Sequence, residues 1–567
     1  MDHGPRTSHL AESGDEPSQE RTRTASHRRQ PTGGPTRAAG SARAAGSAGA
    51  DRAARPTRSG PPGWPIPAAW SAWSLCFVLA VQAVLALRLI KADTAFQDEA
   101  LYLWAGHREW AHLLHGTPIP HFPAYFSGAP VIYPLFGALA DSIGGLSAAR
   151  LLSLIFMLGA TGLLWATTRR LYGAIAAFFA AALFAVLGPT LHLSSFATYD
   201  AMALFLVALA AWLVVRAGDR KDATGWMIAA GIALALGNAT SYSIAIFDPI
   251  VILLALIVAF PAPGGKRAAA RCLVLLAVVV VLLGIGLLAG GSTYRTGIEN
   301  TTLDRVPGFD PASSILADSW AWTGAVAIVA LIGIVISLSR RPLTTRSWLP
   351  LLAGAAILLV PAEQSSLHTV ASLSKHGTMG AWFAAIAAGY AADWFVTAAG
   401  TGRVKAITFA ACVIALALPA EIGVGQARTF ATDWPNSSSF IEILGPLVSH
   451  GSGRLLVEDP SIAEYYLPQG SDWRRWSGTR NIVLPSGAST GGPSKAAGVV
   501  GSGNSGVYAV FIQEGYFSLV ALNFADTTTL DMSIRHDLTR NHRYHIIEVV
   551  PYGLPRGTYV IWRYEPS

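Results

Sequence analysis

The chain has 567 residues, of which 52% are hydrophobic and only 13% charged, and its mean hydropathy is +0.42. One soluble core could not conceal that much apolar surface, so most of the chain must face lipid. The formal net charge is +7, but Lys and Arg concentrate in an N-terminal tail and in short loops between apolar runs, a topology signal that excludes nucleic acid as the partner.

Residues 1–66 are rich in Arg, Ser, Gly, Pro and Ala, as in the run from Arg37 to Gly46, and have no apolar periodicity. This composition predicts a disordered tail. Its arginines, among them Arg21, Arg23, Arg28, Arg29, Arg52, Arg55 and Arg58, place the N-terminus in the cytoplasm.

Apolar runs long enough to cross about 30 Å of hydrocarbon follow near residues 69–90, 146–168, 172–189, 199–216, 225–241, 244–261, 271–291, 315–338, 347–362, 377–398 and 404–421. They predict about eleven transmembrane helices within a membrane domain over 67–421. Arg169-Arg170, Arg216 to Lys221, Lys266-Arg267, Arg340-Arg341 and Arg403 to Lys405 fall on alternate loops, the side that holds the tail. The odd count puts the C-terminus outside a cell membrane crossed many times. Cys76, Cys272 and Cys412 each lie inside a run, where they pack as small hydrophobes, and no disulfide framework or zinc ribbon is spelled out.

Residues 422–567 are less apolar and are expected to form an extracytoplasmic α/β domain. Arg454–Val457, Val507–Ile512, Tyr544–Val549 and Tyr559–Trp562 read as strands, Ser461–Tyr466 and Tyr516–Phe524 as helices, and the Gly/Ser-rich stretch 486–506 as a mobile loop. Its aromatics Trp473, Trp476, Tyr465 and Tyr466 read as core residues before acceptor contacts.

The polar residues of interest sit on the outward loops. The first, 91–145, carries Asp98 and Glu99, followed by Tyr102, Trp104 and Trp110. Part of it suits an interfacial helix with Trp anchors, and acids at that depth stay ionised within reach of a lipid-borne substrate. Negative charge also favours a helix start, which gives both acids a structural alternative. Asp200 opens the fourth run, where burying it requires a partner or water. The loop before the tenth run holds His368, Lys375 and His376, and Arg295 lies on another outward segment; a point charge with a directional donor suits a phosphate. His112 and His115 share a helical spacing that leaves a divalent metal open, without Cys partners. Asp248, before Pro249 inside the sixth run, is the residue that favours the competing reading of a multi-pass transporter or lipid flippase for envelope precursors.

Asp98-Glu99, Ala148-Ala149-Arg150-Leu151, Thr198-Tyr199-Asp200 and Lys375-His376, in this order and spacing, resemble the polytopic GT-C glycosyltransferases, in particular the protein O-mannosyltransferase and lipid A aminoarabinose transferase superfamily. The resemblance covers about residues 70–400. It implies a GT-C-like membrane domain that transfers a sugar from a polyprenyl-phosphate donor, on the outer face and with inversion, to an acceptor glycan, lipid or protein. The catalytic acid it implies is Asp98, supported by Glu99 and Asp200. Tyr102, Arg150, Tyr199, Arg295, His368, Lys375 and His376 complete the expected substrate-binding set. Where many relatives carry a Lys-Pro-Pro-like segment, this chain has Ser127-Gly128-Ala129-Pro130 through Pro134 and lacks the lysine.

Overall fold

The structure is a computed structural model and describes residues 68–124, 126–218, 220, 222–259, 265–305, 307–340, 342–449, 453–467, 472–479, 481–483, 499–501, 505–525, 527–553 and 556–566. The tail over 1–66 and most of the Gly/Ser-rich stretch lie outside the described residues.

The apolar runs become helices α1 (Ala68–Leu87), α3 (Tyr133–Tyr172), α4 (Ala174–Ala185), α6 (Tyr199–Ala217), α7 (Thr224–Thr240), α8 (Asp248–Ala259), α9 (Gly265–Ile298), α10 (Ala312–Ser339), α11 (Leu349–Ala355) with α12 (Leu359–Leu367), α13 (Leu373–Ala398), and α14 (Gly402–Ala415) with α15 (Ala417–Phe430). Each of the runs read from the sequence falls on one of these. Among the described residues, seven helical segments are by themselves long and apolar enough to cross a membrane. Helix α13 is the buried centre, with Met379 to Ala388 all enclosed. Its Gly and Ala residues let neighbouring helices approach closely, a packing that substitutes for hydrophobic drive inside lipid. The basic ends of α3, α6 and α9 meet, as Arg170 Nε donates to Val215 O (3.1 Å) and Arg271 Nη2 to Arg220 O (2.6 Å).

At the opposite end lie α2 (Gln97–His115) and the short α5 (Gly188–Leu193). Helix α2 starts where Glu99 reaches back to accept from Phe96 N at 3.1 Å, and it ends at Gly116 in a left-handed conformation. Leu103, Trp104 and Ala105 face inward while Leu113 and Leu114 are exposed, as befits a helix lying in the interface. It packs so tightly on α3 that a Cβ at Gly106 would stand 1.9 Å from Pro134 O. Gly145, at φ 64°, breaks α3 and lets its first turns follow α2 before the rest turns into the bundle.

The C-terminal domain is a sheet of order β2-β1-β5-β7-β6, made of β1 (Arg454–Val457), β2 (Trp476–Gly478), β5 (Phe517–Leu522), β6 (Tyr544–Tyr552) and β7 (Gly557–Tyr564), with β3 (Asn481–Val483) and β4 (Val499–Gly501) forming a separate antiparallel pair. Strand β1 runs parallel to β2 and β5, while β7 is antiparallel to β5 and β6. Helices α18 (Ser505–Gln513) and α19 (Thr528–Arg540) cover one face; α16 (Ser438–Ser449) and α17 (Pro460–Tyr466) cover the other. Two expectations are corrected: Val507–Ile512 is helix and Tyr516–Phe524 holds a strand. Strand β5 is central and buried on both faces, so its apolar residues run on without alternation. In α18, Tyr508 and Ile512 stand four apart as a buried stripe, and runs this short carry no decisive period.

Candidate active site

Three segments from distant parts of the chain converge beside α2. Asp98 and Glu99 are the second and third residues of that helix, so their side chains leave it about 100° apart and enter different surroundings.

Glu99 is fully buried. Its Oε1 accepts from Arg150 Nε (2.8 Å) and Ala197 N (2.7 Å), and its Oε2 from Arg150 Nη2 (2.7 Å) and Phe96 N (3.1 Å). Arg150, itself only 2% exposed, spends its remaining donors on Ile90 O, Asp93 O and Thr94 O. This bidentate pair is saturated, the condition under which a buried ion pair is tolerated, and it ties the segment around the start of α2 to α3 and to the loop preceding Asp200.

Asp98 keeps 27% of its side chain exposed and meets Lys375 Nζ at 2.5 Å. The same ammonium lies 4.0 Å from Asp200 Oδ2, and His376 Nε2 lies 3.7 Å from Asp200 Oδ1. Asp200 is 1% exposed, and neither of its oxygens meets the geometry of a hydrogen bond with any of the described residues. Lys375 and His376 ride the first turn of α13, entered through Ser372 at φ 64° and preceded by His368 at φ 49°, two left-handed non-glycine residues of the kind stored at functional sites. Tyr102 and Tyr199 lie ring against ring, with centroids 4.5 Å apart, and the Tyr199 hydroxyl pairs with Ser127 Oγ at 2.7 Å. Burial, reinforced by the nearby Asp98 charge, pushes the Tyr102 hydroxyl well above the usual phenol range, so it stays protonated.

The structure therefore brings Asp98, Asp200, Lys375, His376, Tyr102 and Tyr199 together and places Glu99 and Arg150 in an adjoining knot. Arg295, on α9, is exposed and makes no ion pair among the described residues. His368 is exposed and its ring contacts Asp310 O at 3.3 Å. Asp248 accepts from Asn238 Nδ2 at 3.0 and 3.1 Å. His112 Nδ1 lies 2.9 Å from Thr117 O, and no group of three or more metal-ligating side chains occurs among the described residues.

Sequence reasoning missed the clamp on the segment leading to Asp98. Asn436 Nδ2 donates to Asp93 Oδ1 (2.7 Å), Trp434 Nε1 to Thr94 O (3.1 Å), Ser437 N to Thr94 Oγ1 (3.0 Å) and Ala95 N to the Tyr466 hydroxyl (2.7 Å). Tyr465 donates to Asp141 Oδ1 at 2.7 Å, whose other oxygen lies 2.7 Å from His107 Nε2. These partners are more than 300 residues from the segment they hold, and no local motif signals them.

This polytopic helical bundle, with an acid-bearing helix at one end and a small sheet domain after it in the chain, has the GT-C fold of membrane glycosyltransferases. Residues 129–287 match the family model described as dolichyl-phosphate-mannose-protein mannosyltransferase. The fold is similar to that of ArnT from Cupriavidus metallidurans bound to undecaprenyl phosphate, with a TM-score of 0.56 and 14% identity over 87% of this chain and 98% of that one. It is also similar to the Archaeoglobus fulgidus oligosaccharyltransferase in the apo form, with a TM-score of 0.54 and 13% identity over 87% of this chain and 74% of that one. The same organism's AglB in complex with an inhibitory peptide and a dolichol-phosphate aligns at a TM-score of 0.52 with 14% identity, covering 87% and 74%. No curated protein sequence matches the chain.

Proposed function

We propose that this chain transfers a sugar from a polyprenyl-phosphate donor to a hydroxyl of an envelope glycan, lipid or protein on the outer face of the plasma membrane, in a single inverting displacement. The observation that carries the reading is the Asp98–Lys375–Asp200 cluster: a partly exposed carboxylate and an ammonium held at 2.5 Å by separate segments, above a buried acid whose oxygens lack hydrogen-bond partners among the described residues.

In this reading Asp98 accepts the acceptor's hydroxyl proton as that oxygen bonds to the anomeric carbon and the bond from that carbon to the phosphate oxygen breaks. A positioned base contributes about 10²–10⁴-fold. The leaving polyprenyl phosphate departs as a monoester with added negative charge. Lys375 has three N–H donors, so it can hold a phosphate oxygen while it neutralises Asp98, and preorganised charge of this kind is commonly the larger catalytic effect. His376 adds a donor beside it, Asp200 keeps the ammonium oriented, and Tyr102 and Tyr199 form an aromatic wall. Arg295 and His368 stand at the periphery. Glu99 and Arg150 position the loop and do not touch substrate. The division into a cytoplasmic tail (1–66), a membrane catalytic domain (67–421) and an extracytoplasmic domain (422–567) follows from the same reading.

The test is incubation of the purified full-length chain with a panel of radiolabelled undecaprenyl-phosphate sugars and a cell-envelope extract as acceptor. Label is expected to move to a non-lipid-phosphate product. Movement of intact labelled lipid across a vesicle membrane, with no glycosyl product, would overturn the proposal and favour a flippase.

A further inference from the structure

A cavity opens at the same end of the bundle as Asp98, between the end of α1 and the last turns of α15. Its volume is about 570 Å³, within the range of small-molecule sites. Leu85, Leu89, Leu191 and Val424 give it an apolar floor, and Arg88, Arg428, Thr429 and Thr432 line it with polar groups. Leu89 and Leu191 are buried, while both arginines are exposed.

The charge is unusual for its place. Lys375 and Arg150, the basic residues of the neighbouring site, are each paired with an acid. No side-chain hydrogen bond or ion pair engages Arg88 or Arg428 among the described residues. Two guanidinium groups over an apolar floor suit an anion with a hydrocarbon tail. From the cavity, exposed Phe77, Val84 and Leu87 on α1, Ile414 on α14, and Leu418 and Ile422 on α15 continue the apolar surface toward the membrane interior.

We infer that this cavity binds a polyprenyl phosphate monoester, the carrier lipid left after sugar transfer, at a station separate from the catalytic cluster. The choice of monoester follows from charge: it carries about −1.5 to −2 near neutral pH and matches two cations, whereas a phosphodiester such as an ordinary bilayer lipid or the intact donor carries one negative charge. A single aromatic layer of His192, Phe196, Phe430 and Trp434 lies beside it, with His192 and Phe430 ring centroids 5.2 Å apart and Phe196 and Trp434 5.7 Å apart. That layer also meets Phe96 through Trp434 at 5.3 Å, so the cavity adjoins the loop that carries Asp98. The identity of the carrier rests on the proposed function; the existence of the lipid phosphate site does not.

The experiment is native mass spectrometry of the full-length chain in detergent with added undecaprenyl phosphate, and separately with phosphatidylglycerol and inorganic phosphate. Arg88→Gln/Arg428→Gln is expected to retain one undecaprenyl phosphate fewer than the wild type and to weaken retention by about tenfold or more, as loss of charge-assisted hydrogen bonds implies. Thr429→Trp, which fills the cavity and leaves both cations in place, is expected to do the same. Equal retention by the double variant and the wild type overturns the inference, as does equal retention of phosphatidylglycerol, which marks an annular lipid, or full competition by inorganic phosphate, which marks an anion site without lipid. A Lys375→Met arm reports on the catalytic reading alone: unchanged retention there, with loss in the arginine variant, leaves this site standing while the proposed function fails.

Discussion

Two neighbouring regions of α2 contain the same chemistry in opposite states. Around Glu99 a carboxylate and a guanidinium are sealed from water and use their hydrogen-bonding capacity on each other and on backbone groups. Around Asp98 the carboxylate remains partly open over a buried ammonium, and the acid beneath them lacks hydrogen-bond partners among the described residues. A saturated buried pair has nothing left to offer a substrate and fixes geometry; an unsaturated one retains both solvent access and bonding capacity, which a reaction requires.

The largest expected effect tests the open region. Asp98→Asn should lower turnover by about 10²–10⁴-fold with the thermal unfolding midpoint unchanged in detergent. If the variant unfolds instead, the distinction between the regions is lost. In the sealed region, Glu99→Gln or Arg150→Met should destabilise by about 3–5 kcal/mol, because each leaves a buried charge without its partner. The double variant should lose less than the sum of the two, the sign of direct coupling. Comparable stability of Glu99→Gln and wild type would show that the knot holds nothing.

A smaller effect tests how the sheet domain serves the site. Tyr466→Phe removes the acceptor of Ala95 N and should cost about 1 kcal/mol, seen as a severalfold fall in turnover with little change in substrate affinity. A change confined to affinity would assign Tyr466 to substrate contact.

The smallest expected effect is a pH dependence. Burial raises the Glu464 carboxyl well above its usual 4.5, against the opposing pull of Arg108. The folded state then holds a proton that the unfolded chain releases, so this group's stabilisation is full below about pH 4.5 and is lost as pH rises toward the folded value. Glu464→Gln should raise the unfolding midpoint near neutral pH, with the gain shrinking on acidification; a constant gain would place the effect elsewhere.

Much of this was legible in the residues. The apolar runs located the helices because a span needs about 20 apolar residues whatever surrounds it, and the order of Asp98, Asp200 and Lys375 suggested a shared surface. The assignments of Val507–Ile512 and Tyr516–Phe524 were reversed because burial on one face or two is a property of neighbours. The clamp of Trp434, Asn436 and Tyr466 on Asp93 to Ala95 was invisible, since each contact closes a loop of more than 300 residues.

What the sequence determined alone is the kind of molecule: a membrane-embedded helical bundle with acids and bases on the loops between its spans, because hydrophobic length and charge placement act locally and need no partner. What only the tertiary structure decided is which acid is sealed and which is open. Consecutive side chains leave a helix in different directions, and solvation belongs to whatever the rest of the chain brings against them.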